Sequence, residues 1–322
     1  MPELPPLPRL QTPFWQRLHL VSLEEPLIAM AWAAALAQLH RVPVMQGVLP
    51  GLGLSVWIIY VTDRLLDTAG KADAELDTRH FFHRRFRALL LTGAGLGALL
   101  AGWLAFWVVP ADLMWHCLTL SVPVLLYLGV FAGKGSQLFF RGLLPLGGLT
   151  LVGFILASPA WRMGFKISLV TLILSVLLLL SLRRCQERLR TAFHKDVAGG
   201  VLFALGCTAW SRFIQNGSDP IGGFVEFVML TCLFISNLSG ISSRSTHHRW
   251  LAAGLGAVGG TLALVSQGGL AESMQTLAWA CAGGFLGLLA LDARRNHLTH
   301  ASYRVLADGV VLVPALVIYL LR

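Results

Sequence analysis

The most informative part of the sequence is WIIYVTDRLLDT at residues 57–68. It ends an apolar run with two carboxylates, Asp63 and Asp67, which are four residues apart. If the helix that the apolar run predicts continues through them, both carboxylates project from one face about one turn apart. Acidic side chains at membrane depth are costly and are rarely kept without a function. The pair is therefore the first candidate for a functional site.

The composition of the whole chain is that of a polytopic membrane protein. Of its 322 residues, 56% are hydrophobic and 13% are charged, whereas soluble domains carry about 25% charged residues. The net charge is +9, but Lys and Arg lie between apolar runs instead of on one continuous surface, so we expect no nucleic-acid partner. The five cysteines are widely scattered without a CxxC spacing, which indicates packing residues and not a zinc or redox site.

Apolar segments long enough, or nearly long enough, to cross a bilayer recur along the chain. Together they predict an all-α, polytopic membrane helix bundle that forms one transmembrane domain over residues 1–322. The segments lie at residues 27–39, 44–61, 89–109, 114–131, 143–157, 167–182, 197–210, 225–238, 250–265, 277–291 and 305–321.

The distribution of basic residues predicts the orientation of this bundle. If the N-terminus is cytoplasmic, most of the 25 Lys and Arg residues fall on the cytoplasmic side, as the positive-inside rule requires. We therefore expect an integral protein of a bacterial inner membrane, with a polar cytoplasmic segment at residues 1–22. The two loops richest in charge, 63–87 and 183–196, both lie on the cytoplasmic side, where we place the working face. The basic residues on the other side are Arg41, Arg162, Lys166, Arg212 and Arg322.

The spacing of Asp63 and Asp67 suits a divalent cation. Mg²⁺ commonly binds through one or two carboxylates together with substrate phosphates. Such an ion would hold a diphosphate group, and Arg64, Lys71 or Arg79 would add positive charge. The alternative is that both aspartates form ion pairs at a helix end, and the spacing alone does not decide between the two.

The segment YVTDRLLD at residues 60–67 resembles the first aspartate-rich motif of the UbiA superfamily of intramembrane prenyltransferases. It lies after the second predicted helix and before a polar cytoplasmic loop, and the closest likeness is to a divergent branch whose motif has the form D-R-x-x-D. The sixth predicted helix ends near residue 182, where the family places its second motif. HKDVAGG at residues 194–200 then resembles the start of the family's seventh helix.

The resemblance implies about nine core helices around a central cavity; since eleven segments are predicted, the surplus pair most simply lies near the C-terminus. It implies that Asp63 and Asp67 are catalytic residues that bind a prenyl diphosphate, or a related polyprenyl lipid, through Mg²⁺. Ionisation of the allylic diphosphate then gives a carbocation, which an aromatic or other acceptor captures. The residues expected to bind the substrate are Tyr60, Arg64, Glu187, Arg188 and Lys195.

The sequence also departs from the family pattern. The usual first motif, N-D-x-x-D-x-x-x-D, places its Asn and first Asp at Ile59 and Tyr60. In the second loop, only Glu187 and Asp196 are acidic. The depleted second motif favours a transporter, lipid scramblase or binding protein that keeps the fold with its catalytic machinery reduced. A terpene cyclase is a further serious alternative, because it starts with the same ionisation and the sequence offers no acceptor signature. The sequence does not define the oligomeric state.

Three further features lead to expectations about side-chain positions. Trp57 and Tyr60 precede Asp63 by about two turns and one turn, which favours a place for both in the wall of a prenyl cavity. Asp308 follows Arg304 by four residues inside the last predicted helix, which indicates an internal ion pair. The adjacent His247 and His248 are expected in a solvated loop.

Overall fold

The computed structural model describes residues 19–68, 78–131, 194–215, 218–242 and 244–321, together with the single residues 152, 156, 170 and 173. These residues form ten α-helices, and seven of the ten, α2, α4 and α6 to α10, are long and apolar enough to cross a membrane. The chain is therefore an integral membrane protein of the all-α class. The helices are α1 (Glu24–Leu39), α2 (Val48–Thr68), α3 (Thr78–Arg85), α4 (Arg87–Trp107), α5 (Ala111–Phe131), α6 (Lys195–Gln215), α7 (Pro220–Ser242), α8 (Arg244–Ser266), α9 (Glu272–Ala293) and α10 (His300–Leu321).

The predicted helices match the described ones in order, but their ends differ. The hydropathy pattern ends the second segment at residue 61, whereas α2 continues through both aspartates to Thr68. The first charged loop, predicted at residues 63–87, also contains the short helix α3. The predicted segments 143–157 and 167–182 fall outside the described residues apart from the four single positions. The likeness of the whole arrangement to UbiA proteins stays a prediction.

The core of the bundle forms around α1. This helix is rich in alanine, and small side chains let neighbouring helices approach closely. Its Trp32 is completely buried, and the indole Nε1 donates a hydrogen bond of 3.1 Å to the backbone oxygen of Val311 in α10. Phe285 of α9 and Val311 are also fully buried. The two C-terminal helices are therefore part of the core and not an appendage, and α10 closes the bundle against α1.

A close approach of α6 and α7 depends on Gly200. A Cβ atom at this position would lie 2.5 Å from Cγ1 of Ile235 and 2.9 Å from its backbone nitrogen. Such distances are too short for non-bonded atoms, so only glycine allows this crossing. The contact holds α6 against α7 about one turn after Lys195, the first residue of α6.

Gly200→Ala is therefore expected to destabilise the protein by about 1 to 3 kcal/mol, the usual range for an overpacked core. Thermal unfolding of the purified protein in detergent measures the change. Gly206→Ala, on the same helix, is the matched control, because a Cβ there would lie 3.6 Å from Cδ1 of Leu52, an ordinary contact. Equal unfolding temperatures for the two variants would contradict the close approach at Gly200.

At the end of the bundle away from Lys195, the carboxylate of Glu226 is completely buried. Arg212 holds both of its oxygens, with Nε 3.1 Å from Oε1 and Nη2 2.5 Å from Oε2. Nε2 of His40 lies 2.6 Å from Oε2. This cluster joins the end of α1 to α6 and α7.

Candidate functional site

The carboxylates of Asp63 and Asp67 meet the amino group of Lys195. Both aspartates lie in the last two turns of α2, and Lys195 begins α6. The lysine Nζ lies 2.9 Å from Oδ1 of Asp63 and 2.8 Å from Oδ2 of Asp67. Three residues that the sequence singled out are thus in direct contact, although the third is 128 positions beyond the second.

Arg64 adds a second positive charge to the same cluster. Its Nη1 lies 4.0 Å from Oδ2 of Asp63 and 3.8 Å from Oδ2 of Asp67. Its guanidinium carbon lies 5.9 Å from the centre of the Tyr60 ring, within range of a cation–π contact. Nε2 of His80, in α3, lies 3.9 Å from Oδ2 of Asp67. We call Asp63, Arg64, Asp67 and Lys195 the charged cluster.

The formal charges of the charged cluster cancel, and this limits its ability to bind an anion without a further cation. Two carboxylates and two cations leave no net charge, so an added diphosphate needs a further cation to neutralise it. The oxygens of Asp63 and Asp67 are ligands that Mg²⁺ prefers, so their chemistry fits this ion. In the described geometry, however, the Lys195 amino group lies between them. A metal ion can be held there only after Lys195 moves away.

A large cavity leads away from the charged cluster. Its volume is about 720 Å³, and its walls include all four cluster residues and Tyr60. Along α6 the lining residues run from Lys195 to Trp210, a distance of about 22 Å at the helical rise of 1.5 Å per residue. Most of the wall between these ends is apolar, with the aromatic rings of Tyr127 and Phe203 among the lining residues. The cavity therefore combines a charged end with a long hydrophobic channel, and its volume is typical of ligand sites.

A second group of buried polar residues lies beside this cavity, and sequence reasoning identified only two of its members, Arg304 and Asp308. A small void of about 20 Å³ has Glu25, Asn237, Arg304 and Asp308 in its walls, and this volume is enough for about one water molecule. Tyr60 and Arg304 line both the void and the large cavity. The adjacent Glu24 and Glu25 gave no signal, because acidic residues are common in the first turn of any helix.

The expected ion pair between Arg304 and Asp308 is not a direct contact in the described part of the chain, because the two side chains line the same small void and their charges interact across it. The Nε of Arg304 is buried and has no hydrogen-bond partner among the described residues. Asp308 instead accepts a hydrogen bond of 2.8 Å from Nδ2 of Asn237. Residues four apart on a helix are near each other, but the contacts of α10 with α7 turn Asp308 towards another partner.

Short helix α3 ties the N-terminal segment to this second group. Nη2 of Arg79 lies 2.7 Å from Oε1 of Glu25 and 2.7 Å from Oγ of Ser22. His83 lies one turn further, and its Nδ1 is 2.9 Å from the backbone oxygen of Arg79. Burial lowers the pKa of His83 to about 4, so this imidazole is neutral at physiological pH and donates to that oxygen.

One further set of side chains has metal-ligand chemistry. The donor atoms of His19, Glu24 and Asp308 lie within 4.8 Å of one another. Burial lowers the pKa of His19 to about 3, which leaves it neutral. However, Nη2 of Arg79 is only 3.7 Å from Oε1 of Glu24, and its positive charge opposes a metal cation at this place.

The remaining residues that the sequence singled out lie outside the described residues or in positions that differ from those predicted. Glu187 and Arg188 lie outside the described residues. Trp57 does not line the large cavity; its Nε1 donates a 3.0 Å hydrogen bond to the backbone oxygen of Val21, and its ring packs against α4. The prediction of a loop for His247 and His248 is wrong, because both lie in α8 and His247 is completely buried.

Comparison with protein-family models, with curated proteins and with solved structures gives no significant match to this chain. Its class is therefore defined by its own fold and site. It is an integral membrane helix bundle in which an apolar cavity ends at a charged cluster of two aspartates, an arginine and a lysine.

Proposed function

We propose that the protein is a UbiA-like intramembrane prenyltransferase that binds an isoprenoid diphosphate in the large cavity. The observation that supports this most directly is the match in shape and polarity. The cavity is apolar over most of its length and ends at Asp63, Arg64, Asp67 and Lys195, as an amphiphile with a charged head and a hydrocarbon tail requires. We place this end of the cavity on the cytoplasmic side.

The proposed binding step exchanges the partners within the charged cluster. Lys195 and Arg64 turn from the aspartates to the phosphate oxygens, with which they form charge-assisted hydrogen bonds. Asp63 and Asp67 are then free to hold Mg²⁺, which, when bound, neutralises phosphate charge and so makes the diphosphate a better leaving group. Because the resting cluster has no net charge, it cannot neutralise the diphosphate by itself, and Mg²⁺ is needed to do so.

The proposed reaction begins with cleavage of the allylic C–O bond. The electron pair leaves with the diphosphate, whose developing charge Lys195 and Arg64 stabilise. Tyr60 lines the cavity one turn before Asp63, where its ring face can stabilise the carbocation. The apolar walls exclude water, which would otherwise capture the cation. An acceptor supplies the electron pair for the new bond and then loses a proton.

One observation favours a second candidate function, a non-catalytic isoprenoid-binding or transport protein. Lys195 already pairs with both aspartates at 2.8 to 2.9 Å, so the resting site is electrostatically satisfied without a metal ion. Such a cluster can bind an anionic head group through Arg64 and Lys195 and never ionise it. The cavity would then bind a lipid without catalysing a reaction.

The two candidates differ in their dependence on metal. Purified protein in detergent is incubated with prenyl diphosphates of increasing chain length, and the release of inorganic diphosphate is measured. We expect release with Mg²⁺, none with a chelator in excess, and full recovery when Mg²⁺ is restored.

The products of the same incubation separate the remaining possibilities. Hydrocarbon or alcohol products formed without any added acceptor would identify a terpene cyclase. Tight binding of the prenyl diphosphate with no release under any metal condition would contradict the enzyme and support the binding or transport protein.

A further inference from the structure

The small void beside the large cavity is lined by residues with unpaired polar atoms. Oε2 of Glu25, Oδ1 of Asn237 and Nε of Arg304 are buried and have no hydrogen-bond partner among the described residues. The exposed fractions of Glu25 and Asn237 are only 6% and 7%. The void has room for about one water molecule, and a buried water typically forms about three hydrogen bonds. Its volume and its walls therefore form a site for one water molecule.

This water site adjoins the part of the large cavity in which we place the carbocation. Five residues line both spaces: Tyr60, Phe203, Leu238, Ile241 and Arg304. The wall of the void also contains Asp308, which has an exposed fraction of 7%. The proposed reaction releases a proton when the acceptor has formed its new bond. Asp63 and Asp67 are less suited to take this proton, because each already holds the Lys195 amino group through one oxygen.

The acids around the void outnumber the bases by one. Among the described residues, the charged groups of this network are three carboxylates and two guanidinium groups, from Glu24, Glu25, Asp308, Arg79 and Arg304. Burial lowers the pKa of His19 to about 3 and that of His83 to about 4, so both imidazoles are neutral. Arg64, which also acts on Glu25, belongs to the charged cluster, whose own charges cancel. One proton balances the remaining negative charge, whereas a divalent metal ion would replace it with a positive one.

Glu24 connects Asp308 with the outside of the bundle. A carboxylate oxygen of each lies within 4.8 Å of the other, a distance that one water molecule can bridge. Nδ1 of His19 contacts Oε1 of Glu24 and holds this side chain in place. Glu24 is the most exposed of the three acids, with 15% of its side chain accessible. Burial and the neighbouring Glu25 carboxylate raise the pKa of Glu24 to about 7, so this group can both take up and release a proton near neutral pH.

We propose that the void, Asp308 and Glu24 form a proton-exit route from the large cavity. The route rests on the proposed function, because it takes the proton that the acceptor loses after its electron pair has formed the new bond. The acceptor's bond to hydrogen breaks, the electron pair of that bond stays on the acceptor, and the proton passes to the water in the void. That water gives a proton to Asp308, from which it reaches Glu24 and then the bulk water. Each turnover thus yields one prenylated product, one diphosphate and one proton.

Infrared difference spectroscopy of the full chain in detergent tests for the proton itself. As the pH is lowered, wild type should gain the stretching band of a protonated carboxyl group with a midpoint at about pH 7, well above the value of about 4 for ordinary carboxylates. Asp308→Asn and Glu24→Gln should each remove this band, because two carboxylates then balance two guanidinium groups without a proton. Glu272→Gln removes an exposed carboxylate from the start of α9 and should keep the band. A band that wild type lacks, or that persists in both variants, would overturn the proton site.

The place of this route in the reaction is tested by comparing the first turnover with the later ones. The probe is farnesyl diphosphate with Mg²⁺ and no added acceptor, because its carbocation yields one proton whether it ends as a hydrocarbon or as an alcohol. Asp308→Asn should release the first diphosphate at the wild-type rate and then turn over about 100- to 10,000-fold more slowly, the usual contribution of a proton acceptor. The asparagine keeps an oxygen for the hydrogen bond from Asn237, and a structural defect would slow the first turnover as well. Glu24→Gln serves as the second variant if Asp308→Asn fails to fold.

The outcomes for the two proposals are distinct. Equal steady-state rates for wild type and Asp308→Asn would overturn the exit route and leave the prenyltransferase proposal standing. A wild-type protein that gains the band but releases no diphosphate would contradict the prenyltransferase and the place of the route in its reaction, while the proton-binding site itself would stand. A wild-type protein that shows neither the band nor the release would overturn both.

Discussion

Asp63→Asn is expected to lower the rate of diphosphate release by about 100- to 1,000-fold, the usual loss when one charge-stabilising group is removed from an active site. The asparagine has the same shape but carries no charge, so it holds Mg²⁺ weakly and no longer balances Lys195. The measurement is kcat for inorganic diphosphate release at saturating prenyl diphosphate. Asp67→Asn should behave in the same way, because both carboxylates contact the same lysine.

Two further variants decide whether this loss comes from the site. Glu272→Gln removes an exposed carboxylate from the start of α9 and should keep the wild-type rate. Lys195→Met removes the cation that lies between the aspartates, so it should lower the Mg²⁺ concentration needed for half-maximal metal binding even as it slows release. Unchanged release in Asp63→Asn, or a Mg²⁺ requirement that Lys195→Met does not alter, would contradict the exchange of partners in the charged cluster.

The sequence identified the α2 residues of the charged cluster because their signals are local. Asp63, Arg64 and Asp67 stand within five positions, and a helix necessarily brings the two aspartates to one face. The hydropathy pattern identified the helices for a similar reason. A membrane-spanning helix satisfies its backbone hydrogen bonds within one continuous segment, so a single apolar run of the sequence is enough to predict it. The pattern stopped too early in α2, because hydropathy counts Asp63 and Asp67 as polar, while tertiary partners neutralise them and let the helix continue to Thr68.

The partners of these residues depend on packing between distant helices and could not be read in the same way. Lys195 was selected only through the resemblance of residues 194–200 to a family motif, and its bridge to both aspartates depends on how α6 is placed against its neighbours. For Arg304 and Asp308, the local spacing was instead misleading. Their spacing of four predicts an ion pair, but Asn237 of α7 takes the carboxylate, and Arg304 is left to line the cavity.

Glu226→Ala is expected to reduce the free energy of unfolding by about 3 to 5 kcal/mol, the usual result of breaking a buried ion pair from one side. Glu226 is completely buried, and its loss leaves Arg212 without the acceptor of two hydrogen bonds. His40 also loses a contact of 2.6 Å, which joins the end of α1 to α7. Unfolding in mixed detergent, followed by circular dichroism, measures the change.

The matched control is Glu272→Ala, which removes a carboxylate of the same size from an exposed position and should change the stability by less than about 0.5 kcal/mol. Combining Glu226→Leu with Arg212→Met should recover much of the stability, because an apolar pair of similar volume removes both desolvation costs together. Since Glu226 lies at the end of the bundle away from Lys195, the binding of pyrophosphate should survive in every variant that folds. Wild-type stability in Glu226→Ala would contradict the structural role of this buried ion pair. Loss of pyrophosphate binding in a folded Glu226 variant would contradict its separation from the charged cluster.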